Sequence, residues 1–157
     1  MLCQFSTALL PLQILPDGPA ELRDAREKVD AETPPNATQD AQQVEERILL
    51  QSDDPTMALA RTRIDIERLL RDILGKPTSL TPSREETLKF ASIAKLFNLL
   101  VFQYPKFAYL QTPFKYVIQV CNAAIHAQRV TDEQASEALA LGAQIIAALK
   151  AFADGKD

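Results

Sequence analysis

Histidine, cysteine, tryptophan and glycine are all scarce in this chain of 157 residues, which has one, two, none and four of them. The single histidine, His126, excludes a metal site built from several imidazoles. Cys3 and Cys121 are far apart and form no Cys-x-x-Cys pair, so neither a disulfide framework nor a zinc site is indicated. Few glycines suit helices better than a turn-rich β-sandwich. We therefore expect no metal and no cofactor.

A long uninterrupted apolar run is also missing near the start of the chain. The opening segment from Met1 to Leu15 is partly apolar, but it lacks a basic flank and contains Pro11. It is too short to span a bilayer, and we interpret it as neither a signal peptide nor an anchor. Hydrophobic residues make up 46% and charged residues 24% of the chain, as in a globular protein. The expected location is the cytoplasm, with no membrane partner.

The distribution of proline divides the chain into two parts. Residues 1–53 are expected to be a linker-like segment with one or two surface helices, because prolines interrupt it at 16, 19, 34 and 35. A charged stretch from Glu21 to Asp30 is compatible with a short helix. The stretch from Ala37 to Gln51 is expected to be a surface helix that docks by its end. Residues 54–157 then carry the apolar periodicity of a folded domain.

Apolar residues at steps of three and four predict four core helices in residues 54–157. The first begins at Asp54, an N-cap followed by Pro55, and ends at Gly75. Oppositely charged residues four apart should stabilise it, namely Arg61 and Asp65, Arg63 and Glu67, Glu67 and Arg71, and Arg68 and Asp72. The second helix follows a capping box of Ser83 and Glu86 and continues through the segment TLKFASIAKLFNLLVF.

The third predicted helix covers FKYVIQVCNAAIHAQ, with Pro113 in its first turn and a loop between Pro105 and Pro113 before it. The fourth follows a capping box of Thr131 and Gln134. No strand-like alternation of comparable length occurs. The expected fold is all-α, an antiparallel bundle of about four core helices with an extended N-terminal segment.

Charge is distributed unevenly along the chain, whose formal net charge is −4. Residues 87–131 contain no acidic side chain and five basic ones, Lys89, Lys95, Lys106, Lys115 and Arg129. Eight of the ten Phe and Tyr residues lie in or beside the same stretch. Cations interleaved with aromatic rings can bind single-stranded nucleic acid through phosphate contacts and base stacking. The alternative is that the rings fill the core or a dimer interface.

Asn122 and His126 are four residues apart on the third predicted helix, so both project from one face. An imidazole can act as general acid or base in RNA cleavage near neutral pH. The alternative is a solitary surface histidine, or one that only accepts or donates a structural hydrogen bond. No serine or cysteine nucleophile with an orienting partner is visible.

The segment CNAAIHA, followed by VTDEQASEALALGAQIIAAL and preceded by DPTMALARTRIDIERLL, resembles the HEPN-like helical bundles, including a bacterial group with an Asn-x-x-x-His motif. The resemblance covers Asp54 to Phe152. In the active nucleases of that family an arginine beside the polar residue steadies phosphate charge. Here Cys121 stands at that position, and losing such a donor typically costs about 2.7–4 kcal/mol. Arg129 is the alternative cation.

The resemblance implies a non-catalytic or weakly active module that forms a homodimer and binds RNA, a nucleotide or a protein partner. Its ligand would meet the basic and aromatic side, at Lys115, Tyr116, Asn122, His126 and Arg129. One alternative is a metal-independent ribonuclease of a toxin or defence system, with His126 and Asn122 as catalytic residues. Another is a pure protein-interaction domain without a nucleic-acid role.

Overall fold

A computed structural model describes residues 19–76 and 82–155. Within these ranges the chain is helical and contains no strand, which confirms the predicted all-α bundle. The α-helices are α1 (Pro19–Glu32), α2 (Pro35–Leu50), α3 (Pro55–Gly75), α4 (Pro82–Phe90), α5 (Ile93–Gln103), α6 (Gln111–Ile125) and α7 (Asp132–Ala153), with a 3₁₀ helix (Pro105–Leu110) before α6.

Helix α7 lies at the centre of the bundle. The predicted capping box is present, since Thr131 Oγ1 accepts from the backbone N–H of Gln134 and the Gln134 side chain accepts from that of Thr131. The apolar side chains of α7 are buried against α2, α3 and α6. By length and composition α7 could cross a membrane, but 56% of its apolar window is buried inside the protein. That burial is typical of a core helix.

Contacts between side chains establish the directions of the main helices. Thr62 lies beside Gly142, and farther along both helices Lys76 Nζ donates to the carbonyl oxygen of Ala153 at 3.0 Å. Helices α3 and α7 therefore run parallel. Arg47 meets Asp65, whereas Arg61 of α3 donates to Gln51, so α2 and α3 form an antiparallel pair. A short loop joins α6 to α7, and these two helices are antiparallel as well.

The second predicted helix is interrupted, and this part of the prediction was wrong. Helix α4 ends at Phe90, and α5 begins at Ile93 with Ser92 as its N-cap. Arg71 of α3 reaches the break and donates to backbone carbonyl oxygens there, those of Leu88, Lys89 and Ala91. The guanidinium satisfies carbonyl groups that a continuous helix would have paired internally. The predicted capping box at Ser83 involves a side chain outside the described residues.

The segment between Pro105 and Pro113 is a 3₁₀ helix continuing into α6, where a loop was expected. Tyr104 and Phe107 explain this ordering, because their rings meet Phe152 of α7 edge-on at centroid distances of 4.8 and 5.2 Å. Such aromatic pairs favour one compact arrangement of the backbone that carries them.

Helices α1 and α2 pack on the bundle more closely than expected of a linker-like segment. Helix α2 buries Ala41, Val44 and Ile48 at three- and four-residue steps, so it docks along its length and not only by its end. Helix α1 buries Ala25 and Val29. Apolar side chains placed at helical spacing within this charged segment are sufficient for docking. Residues 1–18 lie outside the described part of the chain.

Candidate functional site

Helix α6 ends immediately before the predicted histidine. His126 is the C-cap, and the next residue, Ala127, has a φ of 55°. The N–H of Gln128 donates to the carbonyl of Ala123 at 2.8 Å, and that of Ala127 donates to Ala124 at 3.2 Å. These two bonds form a Schellman motif, in which a left-handed residue satisfies the last helical carbonyls. The imidazole therefore lies at the C-terminal end of α6, beside the Schellman motif.

The side chains of Lys115, Asn122 and His126 share one face of α6, because they are seven and four residues apart. Lys115 and His126 are exposed and Asn122 is half-buried. Among the described residues the imidazole has no hydrogen-bond partner that would orient it. The structure thus brings the predicted pair together on one helix face but does not enclose it.

Tyr116 and Arg129 are placed apart from that face. Arg129 is exposed in the loop before α7, whereas Tyr116 is buried on another side of α6. Burial raises the pKa of the Tyr116 hydroxyl, and the nearby carboxylates of Glu137 and Glu133 raise it further. Tyr116 therefore faces acidic side chains and the core, and in this conformation its ring cannot stack on a base.

Cys121, at the position of the family arginine, points into the core and is fully buried. Burial raises the pKa of its thiol from an ordinary value of 9.0 to about 12, although the positive charge of Arg63 opposes the shift. The thiol is neutral at physiological pH, so it is neither a nucleophile nor a metal ligand there. It also does not lie at a surface where it could take part in a dimer interface.

Arg63 of α3 does not have the ion-pair partner that the sequence pattern predicted. The predicted pair of Glu67 with Arg71 is present, with Oε1 at 2.7 Å from the guanidinium, whereas the predicted pair of Arg63 with Glu67 is absent from the described ion pairs. The Nε of Arg63 is buried and makes no hydrogen bond to any described residue. Its positive charge acts on the Cys121 thiol, so the guanidinium lies within electrostatic range of α6. Arg63 is thus a cation near Cys121 that the sequence pattern did not associate with the motif.

A basic and aromatic surface is present on α4 and α5, away from the predicted residues of α6. Phe90 and Phe102 are 76% and 87% exposed, and Lys89 Nζ lies 5.6 Å from the centroid of the Phe90 ring. Lys95, like Phe102, projects from the outer side of α5. We call these four residues, Lys89, Phe90, Lys95 and Phe102, the α4–α5 surface. Neither lysine makes an ion pair within the described ranges.

The other aromatic rings of the basic stretch mostly fill the core. Phe97 and Phe114 stack with centroids 3.9 Å apart and planes inclined by 10°, and Phe107 is also buried. These rings therefore fill the core, as the alternative interpretation of the basic stretch predicts, whereas Phe90 and Phe102 are exposed to solvent. Helical periodicity contains a signal for the difference, because Phe102 lies off the apolar stripe that includes Phe97.

A charged groove lies between α2, α3 and α7 and has a volume of about 550 Å³. Its floor includes Leu69 and Ile146, and its charged lining consists of Arg47, Asp65, Arg68, Arg71, Asp72, Lys76, Lys150 and Asp154. A smaller hollow of about 270 Å³ adjoins it and shares Arg47, Lys150 and Asp154. No local sequence pattern indicates this groove, because its side chains come from three helices that are far apart in the sequence.

The described residues contain no group of three or more His, Cys, Asp or Glu side chains that could hold a metal ion. No protein-family model, curated protein or solved structure matches this chain.

Proposed function

We propose that this chain is a non-catalytic module that binds single-stranded RNA on the α4–α5 surface. The observation that carries the proposal is the exposure of Phe102, 87% of whose surface meets solvent on the same helix as the unpaired Lys95. Base–aromatic stacking contributes about 1–3 kcal/mol per base, and neighbouring cations contact the phosphates. A HEPN-like relationship belongs to the same proposal and rests on the spacing of Asn122 and His126.

The local positive charge favours an anionic ligand, although the chain as a whole has a net negative charge. Four cations of residues 87–131, those of Lys89, Lys95, Lys115 and Arg129, are exposed and form no ion pair with any described residue. Unpaired surface cations without neighbouring acids in the sequence create a positive field within a Debye length of the surface. Such a field would attract a polyanionic ligand to the bundle, and Lys89 and Lys95 would hold it at the α4–α5 surface.

We propose a module without catalytic activity because no described group is placed for proton transfer or nucleophilic attack. His126 is solvent-exposed without an orienting partner, and the Cys121 thiol is buried and neutral. The rival ribonuclease is tested by incubating single-stranded RNA with the protein in EDTA. Cleavage by the wild type that disappears in His126→Ala would support the nuclease, whereas equal behaviour of both proteins supports a binding module.

A fluorescence-anisotropy titration with a labelled single-stranded RNA tests binding at the proposed surface. Phe102→Ala should weaken affinity by about tenfold, the loss of one stacked base. Leu50→Ala is the matched control, because Leu50 is equally exposed at 87% but lies on α2. Equal affinities of the two variants would contradict the proposed location.

A second candidate function, self-association, has its own supporting observation. Leu49, Leu50, Met57 and Ile64 are large apolar side chains exposed on α2 and α3. Arg61 donates to Gln51 and holds the end of α2 beside the first turns of α3, so these apolar groups lie on neighbouring turns. Exposed apolar groups that cluster in this way are typical of protein interfaces. We propose that they form the interface of a homodimer or bind a protein partner.

Light scattering coupled to size-exclusion chromatography tests self-association. The wild type should elute as a dimer at micromolar concentration, and Leu50→Glu should be monomeric because a charge would be buried at the interface. A monomeric wild type would rule out the homodimer. Phe102→Ala should leave the oligomeric state unchanged, which separates this surface from the RNA-binding one.

A further inference from the structure

Two arginines from two helices bind one carboxylate in the groove between α2, α3 and α7, and a lysine from the third helix lines the same groove. Asp65 of α3 is buried, and its two oxygens lie 3.4 Å from Arg47 of α2 and 3.0 Å from Arg68 of α3. Lys150 of α7 lines the same groove as both arginines. The position of Asp65 therefore fixes two guanidinium groups near each other, where they would otherwise repel.

Asp65 leaves most of the hydrogen-bonding capacity of these cations unused. A guanidinium has five N–H donors, and each arginine gives Asp65 a single hydrogen bond. Lys150 is exposed and makes no hydrogen bond or ion pair with any described residue. Several charged donors thus remain directed at the groove or free to turn into it.

The remaining cations of the groove are already engaged in the fold. Arg71 binds Glu67 and the carbonyls at the α4–α5 break, and Lys76 Nζ donates to Ala153 at 3.0 Å. Asp72 and Asp154 are the other acids of the lining, so five basic and three acidic side chains give the groove a net charge of +2. The smaller adjoining hollow adds Asp40.

Arg47, Arg68 and Lys150, taken together with Asp65, carry a net charge of +2, which offsets the charge of about −1.5 to −2 that a phosphate monoester carries at neutral pH. Planar guanidinium groups also match the geometry of phosphate oxygens through paired N–H donors. The groove volume of about 550 Å³ is within the range of small-molecule sites, and Leu69 and Ile146 supply an apolar wall.

We propose that this groove binds the phosphate group of a small phosphate-bearing ligand, held between Arg47, Arg68 and Lys150. Asp65 does not contact the ligand in this arrangement but positions the two arginines. The site is distinct from the α4–α5 surface, because its lining residues come from α2, α3 and α7.

Isothermal titration calorimetry with inorganic phosphate and pyrophosphate tests the site in the full chain. Saturable binding is expected, and Lys150→Gln should weaken it about tenfold, the loss of one charge-assisted contact. Because Lys150 has no structural partner in the described part of the chain, the variant should remain folded. Lys28→Gln is the matched control, an exposed lysine on α1 that should bind as the wild type does.

Arg68→Lys is a second variant that keeps the charge but removes the paired donors, and it should also weaken pyrophosphate binding. Absence of saturable binding at millimolar pyrophosphate would overturn the proposal, as would equal losses in Lys150→Gln and Lys28→Gln. Lys150→Gln should retain wild-type RNA affinity, so failure at this groove is distinguishable from failure at the α4–α5 surface.

Discussion

The backbone of Gly142 on α7 lies directly against the side-chain methyl group of Thr62 on α3, with no space for a β-carbon between them. Thr62 cannot easily move away, since it is fully buried and its hydroxyl donates to the Ala58 carbonyl at 2.9 Å. This contact sets the distance between the two parallel central helices.

Gly142→Ala should therefore reduce the free energy of unfolding by about 1–3 kcal/mol, because the added methyl overpacks the core. Urea denaturation measures the loss. Adding Thr62→Ser, which removes the opposing methyl but keeps the hydroxyl, should restore part of it. Gly75→Ala is the control, since its β-carbon would meet nothing within 4 Å. A Gly142→Ala protein as stable as the wild type would contradict the close approach.

Asp65→Asn should destabilise the protein by about 1–3 kcal/mol, because two guanidinium groups would lose the charge that holds them together. Asp72→Asn, an exposed position about two helical turns away on α3, should change stability by less than about 0.5 kcal/mol. Thermal unfolding of the two variants at low salt compares them. Equal effects would mean that Arg47 and Arg68 do not depend on Asp65.

Ala127→Gly should stabilise the protein by about 0.5–1 kcal/mol, because glycine adopts the left-handed conformation of the helix stop without the strain that alanine bears. Ala123→Gly, within α6, should instead cost about 1 kcal/mol. Chemical denaturation of both variants checks the opposite signs. A loss of stability in Ala127→Gly would contradict the Schellman motif.

The protein should lose stability at alkaline pH because the thiol of Cys121 is buried. Its pKa in the folded protein, about 12, exceeds the ordinary value of 9.0, so the folded state retains a proton that the unfolded state releases. The contribution is fully present below pH 9 and declines as pH rises above it, by at most about 1.4 kcal/mol per pH unit. Chemical unfolding of the wild type and of Cys121→Ala, compared from about pH 8 upward, measures this contribution. At about pH 8 the thiol is still mostly protonated in both the folded and the unfolded state. Parallel pH profiles of the two proteins would contradict the burial of the thiol.

The sequence was a good guide to those helices whose signals are local. The caps at Asp54 and Thr131 and the apolar stripes of α3 and α7 depend on residues within a few positions of one another, and the structure has both caps. The break at Ser92 depends on Arg71, about twenty positions earlier in the chain, which no local pattern shows. The pairing of Asp65 with Arg47 instead of Arg61 has the same origin.

The candidate surfaces were less predictable than the helices. Basic and aromatic residues were recognised in the sequence, and helical spacing puts Phe102 off the apolar stripe of Phe97, but only the packing of the bundle shows which side of α5 is covered. The groove around Arg68 and Lys150 depends on the parallel packing of α3 and α7, which pattern analysis did not specify. Long-range packing decides which side chains remain free to bind.

The salt dependence of RNA affinity tests the proposed function most directly. Affinity of the wild type should fall linearly with ionic strength on logarithmic axes, and Lys95→Gln should reduce the slope by about 0.7, the share of one phosphate contact on single-stranded RNA. Lys28→Gln, an exposed lysine on α1, should leave the slope unchanged. No measurable RNA binding at low salt, or the same slope for all three proteins, would contradict RNA binding at the α4–α5 surface.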